Sequence, residues 1–310
     1  MSNLSLKKTK VFRDYFYSKR INAAPLSVFR IFFGLFMLVA LIRFWINGWI
    51  YSLYIAPKFH FKYYGFSWVK DLGQFTYVLY FFAIIACLGI ILGYRYRLSI
   101  VSFFLIFTYT ELIDKTTYLN HYYFVSCVSF LLCFLPAGDY FSLDVIRKGK
   151  KIESIPAWMI DSLKLFITIV YLYAGIAKIN SDWLFESQPL SLWLSSKYHI
   201  FIIGDLLQQK WVHYTASWAG MIYDVCIGFL LWNPKTRLIA FLLVLIFHIM
   251  TKVFFPSIGM FPFIMILSAT IFFNTTWHQG VITRLKNYLY RGIEIVGVRQ
   301  EKITSNFEIV

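Results

Sequence analysis

Long apolar runs alternate with short polar segments along almost the whole chain. Residues 75–93 contain no charged side chain, and residues 116–138 contain none apart from the ionisable His121. A helix that crosses a bilayer needs about 20 mostly apolar residues, so both runs predict membrane spans. With six shorter or interrupted runs they predict an all-α, polytopic membrane protein of about eight transmembrane helices: 26–46, 75–93, 98–113, 116–138, 157–177, 214–234, 236–251 and 254–274.

Basic side chains are distributed unevenly between the predicted loops. The formal net charge is +15, which by itself is also typical of nucleic-acid binding. If the N-terminus is cytoplasmic, inner segments hold 19 Lys and Arg residues and outer segments hold 9. This is the positive-inside bias of membrane proteins, so the expected partner is the lipid bilayer and not nucleic acid.

The same pattern divides the chain into three regions. A basic cytoplasmic segment (1–24) precedes the transmembrane domain (25–275), and a basic cytoplasmic tail (276–310) follows it. All four cysteines lie in predicted spans, where they are typical of small apolar residues. The six histidines show no metal-ligand spacing, so we expect no metal: His60, His121, His199, His213, His248 and His278.

Polar residues recur at the predicted outer ends of four spans. Ionisable groups at membrane depth are unfavourable and usually face a cavity or one another, so these residues are candidates for one site. Structural roles remain open for each, such as a lysine snorkelling to the interface or a solvated turn at Asp114–Lys115. The group comprises Glu111, Asp114, Lys115, Asn120, His121, Lys178, Asn180, Asp182, His248 and Lys252.

Several residues within the spans raise separate expectations. Asp224 lies in mid-span and needs a partner, for which Lys164 and Arg30 are candidates, or else a functional role. Arg30 itself is expected to snorkel to the inner headgroups. Small residues around Gly175 predict a close approach by another helix. Pro262 is expected to kink the last span and free a carbonyl.

Four ordered motifs resemble a known family. They read "LIDKTTYLNHYYF", "YAGIAKINSDWL", "YDVCIGFLL" and "FHIMTKVFFPSIGMFPFIM". They are similar to the membrane portion of vitamin K-dependent γ-glutamyl carboxylase and to the wider bacterial HTTM family (horizontally transferred transmembrane domain), over residues 25–275. The resemblance implies a protein of the bacterial inner membrane, and the distribution of Lys and Arg predicts that its site faces the outer side.

The resemblance also implies a chemistry. Such carboxylases deprotonate reduced vitamin K, and its reaction with dioxygen gives an epoxide and a strong base. That base removes a proton from a glutamate side chain, and carbon dioxide then traps the resulting carbanion. The implied cofactors are therefore a reduced vitamin K or menaquinol, dioxygen and carbon dioxide, without a metal.

Residue roles follow from the matching positions. Lys178 matches the catalytic lysine, whose pKa desolvation is expected to lower, and Asn120 and His121 match the family's Asn-His pair. We expect Asn120 and His121 to hydrogen-bond a developing oxyanion. Truncation of Lys178 to alanine is expected to leave stability level or slightly higher. The expected cofactor-binding residues are His248, Lys115, Tyr122, Trp183 and Met260.

The substrate and the class of function stay open at this point. The sequence departs from the family motif at Ala177, Asn180 and Ser181. We expect no counterpart here of the large lumenal domain with which the carboxylases capture protein substrates. Quinol epoxidation is therefore the core expectation, with an outer peptide or protein substrate and its carboxylation as further ones. The alternatives are a non-catalytic maturation partner and a small-molecule transporter.

Overall fold

A computed structural model describes residues 19–199 and 203–288. Residues 1–18 of the predicted N-terminal segment, 200–202, and 289–310 of the predicted tail lie outside the described residues. Over the described ranges the fold is all-α apart from one short antiparallel strand pair, β1 (Arg20–Asn22) and β2 (Ser154–Pro156). The helices are α1 (Ala24–Ile46), α2 (Phe75–Leu92), α3 (Tyr96–Leu112), α4 (Asn120–Phe134), α5 (Leu143–Lys148), α6 (Ala157–Ile176), α7 (Ser181–Leu184), α8 (Leu190–Ser195), α9 (Lys210–Trp232), α10 (Arg237–Phe254), α11 (Phe261–Ala269) and α12 (275–288).

Each of the eight predicted spans corresponds to a helix, in the predicted order. Within the described residues, α1, α2, α6, α9 and α10 are long and apolar enough to cross a membrane on their own. The other three, α3, α4 and α11, are shorter. The predicted class of all-α, polytopic membrane protein is confirmed.

The eight helices form a series of neighbours that returns to its start. The pairs α1–α2, α2–α3, α3–α4, α6–α9, α9–α10 and α10–α11 are in contact, and α11 packs against α1. Phe124 of α4 stacks on Phe166 of α6, with ring centroids 5.5 Å apart, and joins the two halves. Side chains that point inward from several helices can therefore meet in one place. We call the two ends of the bundle inner and outer, as the charge distribution predicts.

The prediction for Pro262 is wrong. α10 ends at Phe254, a short 3₁₀ turn follows, and Gly259 takes a positive φ of 71°. α11 then begins at Phe261, which places Pro262 in the first turn. First-turn N–H groups have no intrahelical acceptor, so proline there removes no hydrogen bond and causes no kink.

The sequence predicted that Arg30 snorkels to the inner headgroups, and this prediction is wrong. Its side chain is fully buried and donates to the carbonyl oxygens of Ile90, Ile91 (2.8 Å) and Phe141. The last carbonyls of a helix have no intrahelical partner and carry partial negative charge. The guanidinium therefore completes the inner end of α2, where α1, α2 and the loop between α4 and α5 meet.

Two further local interactions stabilise the inner side of the bundle. Asp144 of α5 accepts hydrogen bonds from the backbone N–H groups of Arg95 (3.0 Å) and Tyr96 (2.9 Å), which caps the start of α3. α12, at the start of the predicted tail, packs on α1 because Ile282 is buried against Ala24 and Val28.

Candidate functional site

α6 and α9 approach each other most closely at Gly175. A Cβ atom at this position would lie 2.6 Å from Val225 Cγ2 and 2.7 Å from the Val225 backbone nitrogen. Those separations are shorter than van der Waals contact, so only glycine allows this packing. The predicted close approach at the small residues is confirmed, and it brings the end of α6 against the middle of α9.

This approach creates a buried ion pair between Lys178 and Asp224. Lys178 Nζ donates to Asp224 Oδ2 at 2.6 Å and to the Ala174 carbonyl at 3.1 Å. The Asp224 side chain is 6% exposed and that of Lys178 is 21% exposed. The partner of Asp224 is thus Lys178, not Lys164 or Arg30, which lie too far toward the inner side. A charged pair so deep in the bundle indicates a specific role.

A small helical cap covers the outer side of the pair. Asn180 caps α7 by accepting from the Trp183 backbone N–H at 2.9 Å. Trp183 then donates its indole N–H to the Ser217 carbonyl at 2.7 Å, and Trp218 donates to the Leu184 carbonyl at 3.0 Å. These bonds fix the cap, which consists of α7, α8 and the turn before α9, against the first turns of α9.

Trp183 also connects the cap to the ion pair. Lys178 Nζ lies 5.2 Å from the centre of the Trp183 ring, within the range of a cation–π interaction. α9 extends roughly 20 Å outward from Asp224 to its first residue, at 1.5 Å per residue. The pair therefore lies beside the middle of α9, well short of its outer end, with Asp224 buried and Lys178 partly exposed.

A second group of side chains meets next to the pair, and we call it the histidine–aromatic cluster. His248 Nε2 lies 2.9 Å from the Tyr171 hydroxyl. Phe261 contacts both His248 and His121, with ring centroids 5.7 and 5.9 Å away. The cluster comprises His121 and Tyr122 of α4, Tyr171 of α6, Tyr223 of α9, Phe247 and His248 of α10, and Phe261 of α11.

The cluster contains two buried polar atoms without a hydrogen-bond partner among the described residues, the Tyr223 hydroxyl and Nδ1 of His248. His248 is 1% exposed, and its Nδ1 atom has no hydrogen-bond partner within the described part of the chain. Whichever tautomer the ring adopts, Nδ1 is a donor or an acceptor. A buried ring nitrogen without a partner is unfavourable and suggests that a polar group of a ligand belongs there.

The ion pair and the cluster adjoin each other through two helices. Tyr171 lies in the last two turns of α6, and Lys178 follows seven residues later in the turn after the helix ends at Ile176. Tyr223 immediately precedes Asp224 and contacts the Tyr171 ring edge-on at 6.0 Å. Sequence reasoning missed Tyr171, Tyr223 and Phe261, although the spacing from Lys178 identifies Tyr171.

The structure separates some of the predicted site residues. Asn120 is exposed at the start of α4, whereas His121 is buried, because consecutive helical residues point about 100° apart. Lys115 is exposed as well. Tyr122 packs in the cluster 4.6 Å from His121, and Met260 is half-buried just before α11.

The turn at Asp114–Lys115 is solvated only in part. Asp114 is 4% exposed, and its Oδ2 atom lies 3.0 Å from His60 Nδ1. The Lys115 backbone N–H donates to the Phe61 carbonyl at 2.8 Å, and Lys62 Nζ donates to the Ile113 carbonyl at 2.9 Å. The turn therefore clips the outer loop between α1 and α2 to the end of α3.

We expect Asp114→Ala to destabilise this clip in a pH-dependent way. Burial by itself raises the pKa of Asp114, but hydrogen bonds from Thr116 and His60 outweigh it and hold the pKa below its ordinary 3.8. The carboxylate therefore stabilises the fold above about pH 4 and loses this effect as the pH falls through the folded pKa. The difference in Tm between wild type and Asp114→Ala should shrink as the pH falls below about 4. A difference unchanged at pH 3 would contradict this.

These features define the class of protein: a polytopic helical membrane protein with a buried lysine–aspartate pair and a histidine–aromatic cluster inside its bundle. A family model for the HTTM domain matches residues 18–277, so the chain belongs to the HTTM family. No solved structure matches the chain.

Proposed function

We propose that this HTTM-family protein is a membrane enzyme that epoxidises a reduced menaquinone or vitamin K with dioxygen, with Lys178 as the base. The observation that carries the proposal is the buried Lys178–Asp224 pair beside the histidine–aromatic cluster. The family membership supports it, because the motif residues at Lys178 and His121 resemble those of vitamin K-dependent carboxylases.

The cluster residues suit a flat ring with polar oxygens at its edge. Phe247 and Phe261 flank His248, with ring centroids 5.3 and 5.7 Å from the imidazole. Aromatic walls favour stacking and edge contacts with a quinone ring, and the free Nδ1 atom can hydrogen-bond one quinone oxygen. His248, His121 and Tyr122 are therefore the residues proposed to hold the cofactor, with Met260 beside them.

Asp224 changes the way in which Lys178 can act as a base. A lysine that donates to a carboxylate keeps its proton, and only the neutral amine can accept one. Keeping both the Lys178 ammonium and the Asp224 carboxylate charged is unfavourable in a low-dielectric interior. The proton can therefore pass across the 2.6 Å contact from Nζ to Oδ2, which leaves both groups neutral. The neutral amine then accepts the hydroxyl proton of the cofactor, and Asp224 stores the first proton.

When bound, the reduced quinone supplies the oxygen-dependent chemistry and the strong base. The chain supplies position and exclusion of water: the Trp183 cap covers Lys178, and the outer residues of α9 shield it further. We extend the proposal to an acceptor, a peptide or protein reached from the outer side, whose carboxylation by carbon dioxide is the finer expectation.

The test uses the full chain purified in detergent, with reduced menaquinone and oxygen, and mass spectrometry of the epoxide. His248→Gln should lower kcat/KM by roughly tenfold or more, because a buried hydrogen bond to the ring oxygen is lost. His278→Gln is the matched control, since His278 is equally buried, at 1% exposure, but lies on the inner side. A chelator should leave the rate unchanged. Absence of epoxide from correctly folded wild type would refute the proposal and favour a transporter or a maturation partner.

A further inference from the structure

A cavity of about 270 Å³ opens at the inner end of the bundle, far from Lys178. It lies between the start of α6, the start of α10 and the junction of α11 with α12. Its lining combines polar residues with three buried apolar ones, Ile160, Ile271 and Phe272. Neither the quinone chemistry nor any motif assigns it a role.

The described charged residues that line this cavity are mostly cations. Lys19, Lys164 and Arg237 face a single carboxylate, Asp161. Lys164 Nζ is 3.5 Å from Asp161 Oδ1, and both side chains are only 16% exposed. Among the described residues that line the cavity, cations therefore outnumber carboxylates, and Lys164 lies in a partly desolvated place.

The backbone reinforces this charge. Ala157 and Arg237 are the first residues of α6 and α10, and both helices direct their positive N-terminal ends at the cavity. Neither helix has a side-chain cap or an acidic residue in its first turn. Arg237 is held in place because it donates to the carbonyls of Leu231 and Trp232, each at 3.1 Å. Cations and helix N-termini together are the usual way to bind a phosphate group.

We infer that this cavity binds a phosphate group, and specifically that of an anionic lipid headgroup. The cavity lies between membrane helices on the side predicted to be inner, where anionic lipids meet basic pockets. Its volume suits a headgroup, and its apolar lining residues can contact the first part of an acyl chain. The site is independent of the proposed catalysis at Lys178.

The test measures lipid binding to the delipidated full chain in detergent by native mass spectrometry and by the shift in Tm. Phosphatidylglycerol should bind and stabilise, whereas phosphatidylcholine should do so much less. Lys164→Gln should weaken phosphatidylglycerol binding roughly fivefold or more, as expected for one cation near the surface. Asp161→Asn should strengthen it, because the competing carboxylate is gone.

The opposite signs at Lys164 and Asp161 separate ligand binding from a structural role, since damage to the fold would weaken binding in both variants. Lys148→Gln is the matched control: Lys148 is exposed on α5, does not line the cavity and carries the same charge, so binding should not change. If inorganic phosphate competes fully at low concentration, the phosphate site stands but the lipid assignment falls. Equal binding of phosphatidylcholine, or equal affinities in the Lys164 and Asp161 variants, would overturn the inference.

Discussion

Lys178→Ala is expected to abolish quinol turnover. General-base groups contribute roughly 100-fold or more to a rate, and no other described amine lies beside Asp224 to replace this one. The measurement is epoxide formation by the purified variant at saturating quinol. Lys210→Ala is the control, because Lys210 is an exposed lysine on the same outer side, and its rate should stay normal. More than about a tenth of wild-type activity in Lys178→Ala would contradict the assignment.

The same variant should also lose stability, which reverses the expectation from sequence. Sequence reasoning treated Lys178 as a charge whose removal is neutral or favourable. The structure places Asp224 2.6 Å away at 6% exposure, so truncation leaves a buried carboxylate without a partner. Breaking one side of such a pair costs about 3 kcal/mol, which a thermal melt in detergent should detect.

A double variant separates the two effects. Lys178→Ala with Asp224→Leu removes both charges, and replacement of a buried pair by apolar groups is often close to neutral. We therefore expect the double variant to recover most of the Tm lost by Lys178→Ala while turnover stays absent. Recovery of turnover along with the Tm would mean that Lys178 acts only through the fold.

The sequence predicted the parts of the fold that depend on local pattern. Apolar length determined the eight spans, and the small residues around Gly175 indicated a close helix contact. Lys178 and His248 stood out because polar groups at membrane depth are rare. Each of these inferences rests on residue types that constrain their own neighbourhood.

The rest depended on contacts between distant segments. Arg30 and Asp224 were assigned wrong surroundings because periodicity does not say which helix faces them or at what depth. Pro262 was misplaced for a related reason. The backbone at Gly259 takes a positive φ of 71° and separates α10 from α11, and a hydropathy pattern does not show this break. Asn120 and His121 looked like one unit in sequence, but the helix turns them apart by about 100°.

Gly175→Ala is expected to damage the packing of α6 against α9. The new Cβ would lie 2.7 Å from the Val225 backbone nitrogen and 3.1 Å from the Asp224 carbonyl carbon. Backbone atoms cannot rotate away, so α9 must shift as a whole. Overpacking of this kind costs about 1–3 kcal/mol, and the shift also lengthens the contact between Lys178 and Asp224. Both the Tm and epoxide formation should therefore fall.

Two glycines of the partner helix α9 serve as controls for this prediction. A Cβ at Gly220 meets only Trp183 at an ordinary 3.8 Å, so Gly220→Ala should be neutral in both assays. A Cβ at Gly228 would lie 2.7 Å from Thr168 Cγ2, in the same helix pair but on the inner side of Asp224. Gly228→Ala should therefore lower the Tm as Gly175→Ala does while more turnover survives in the folded fraction. If both variants lose turnover in proportion to Tm alone, the position of the ion pair is not what catalysis requires.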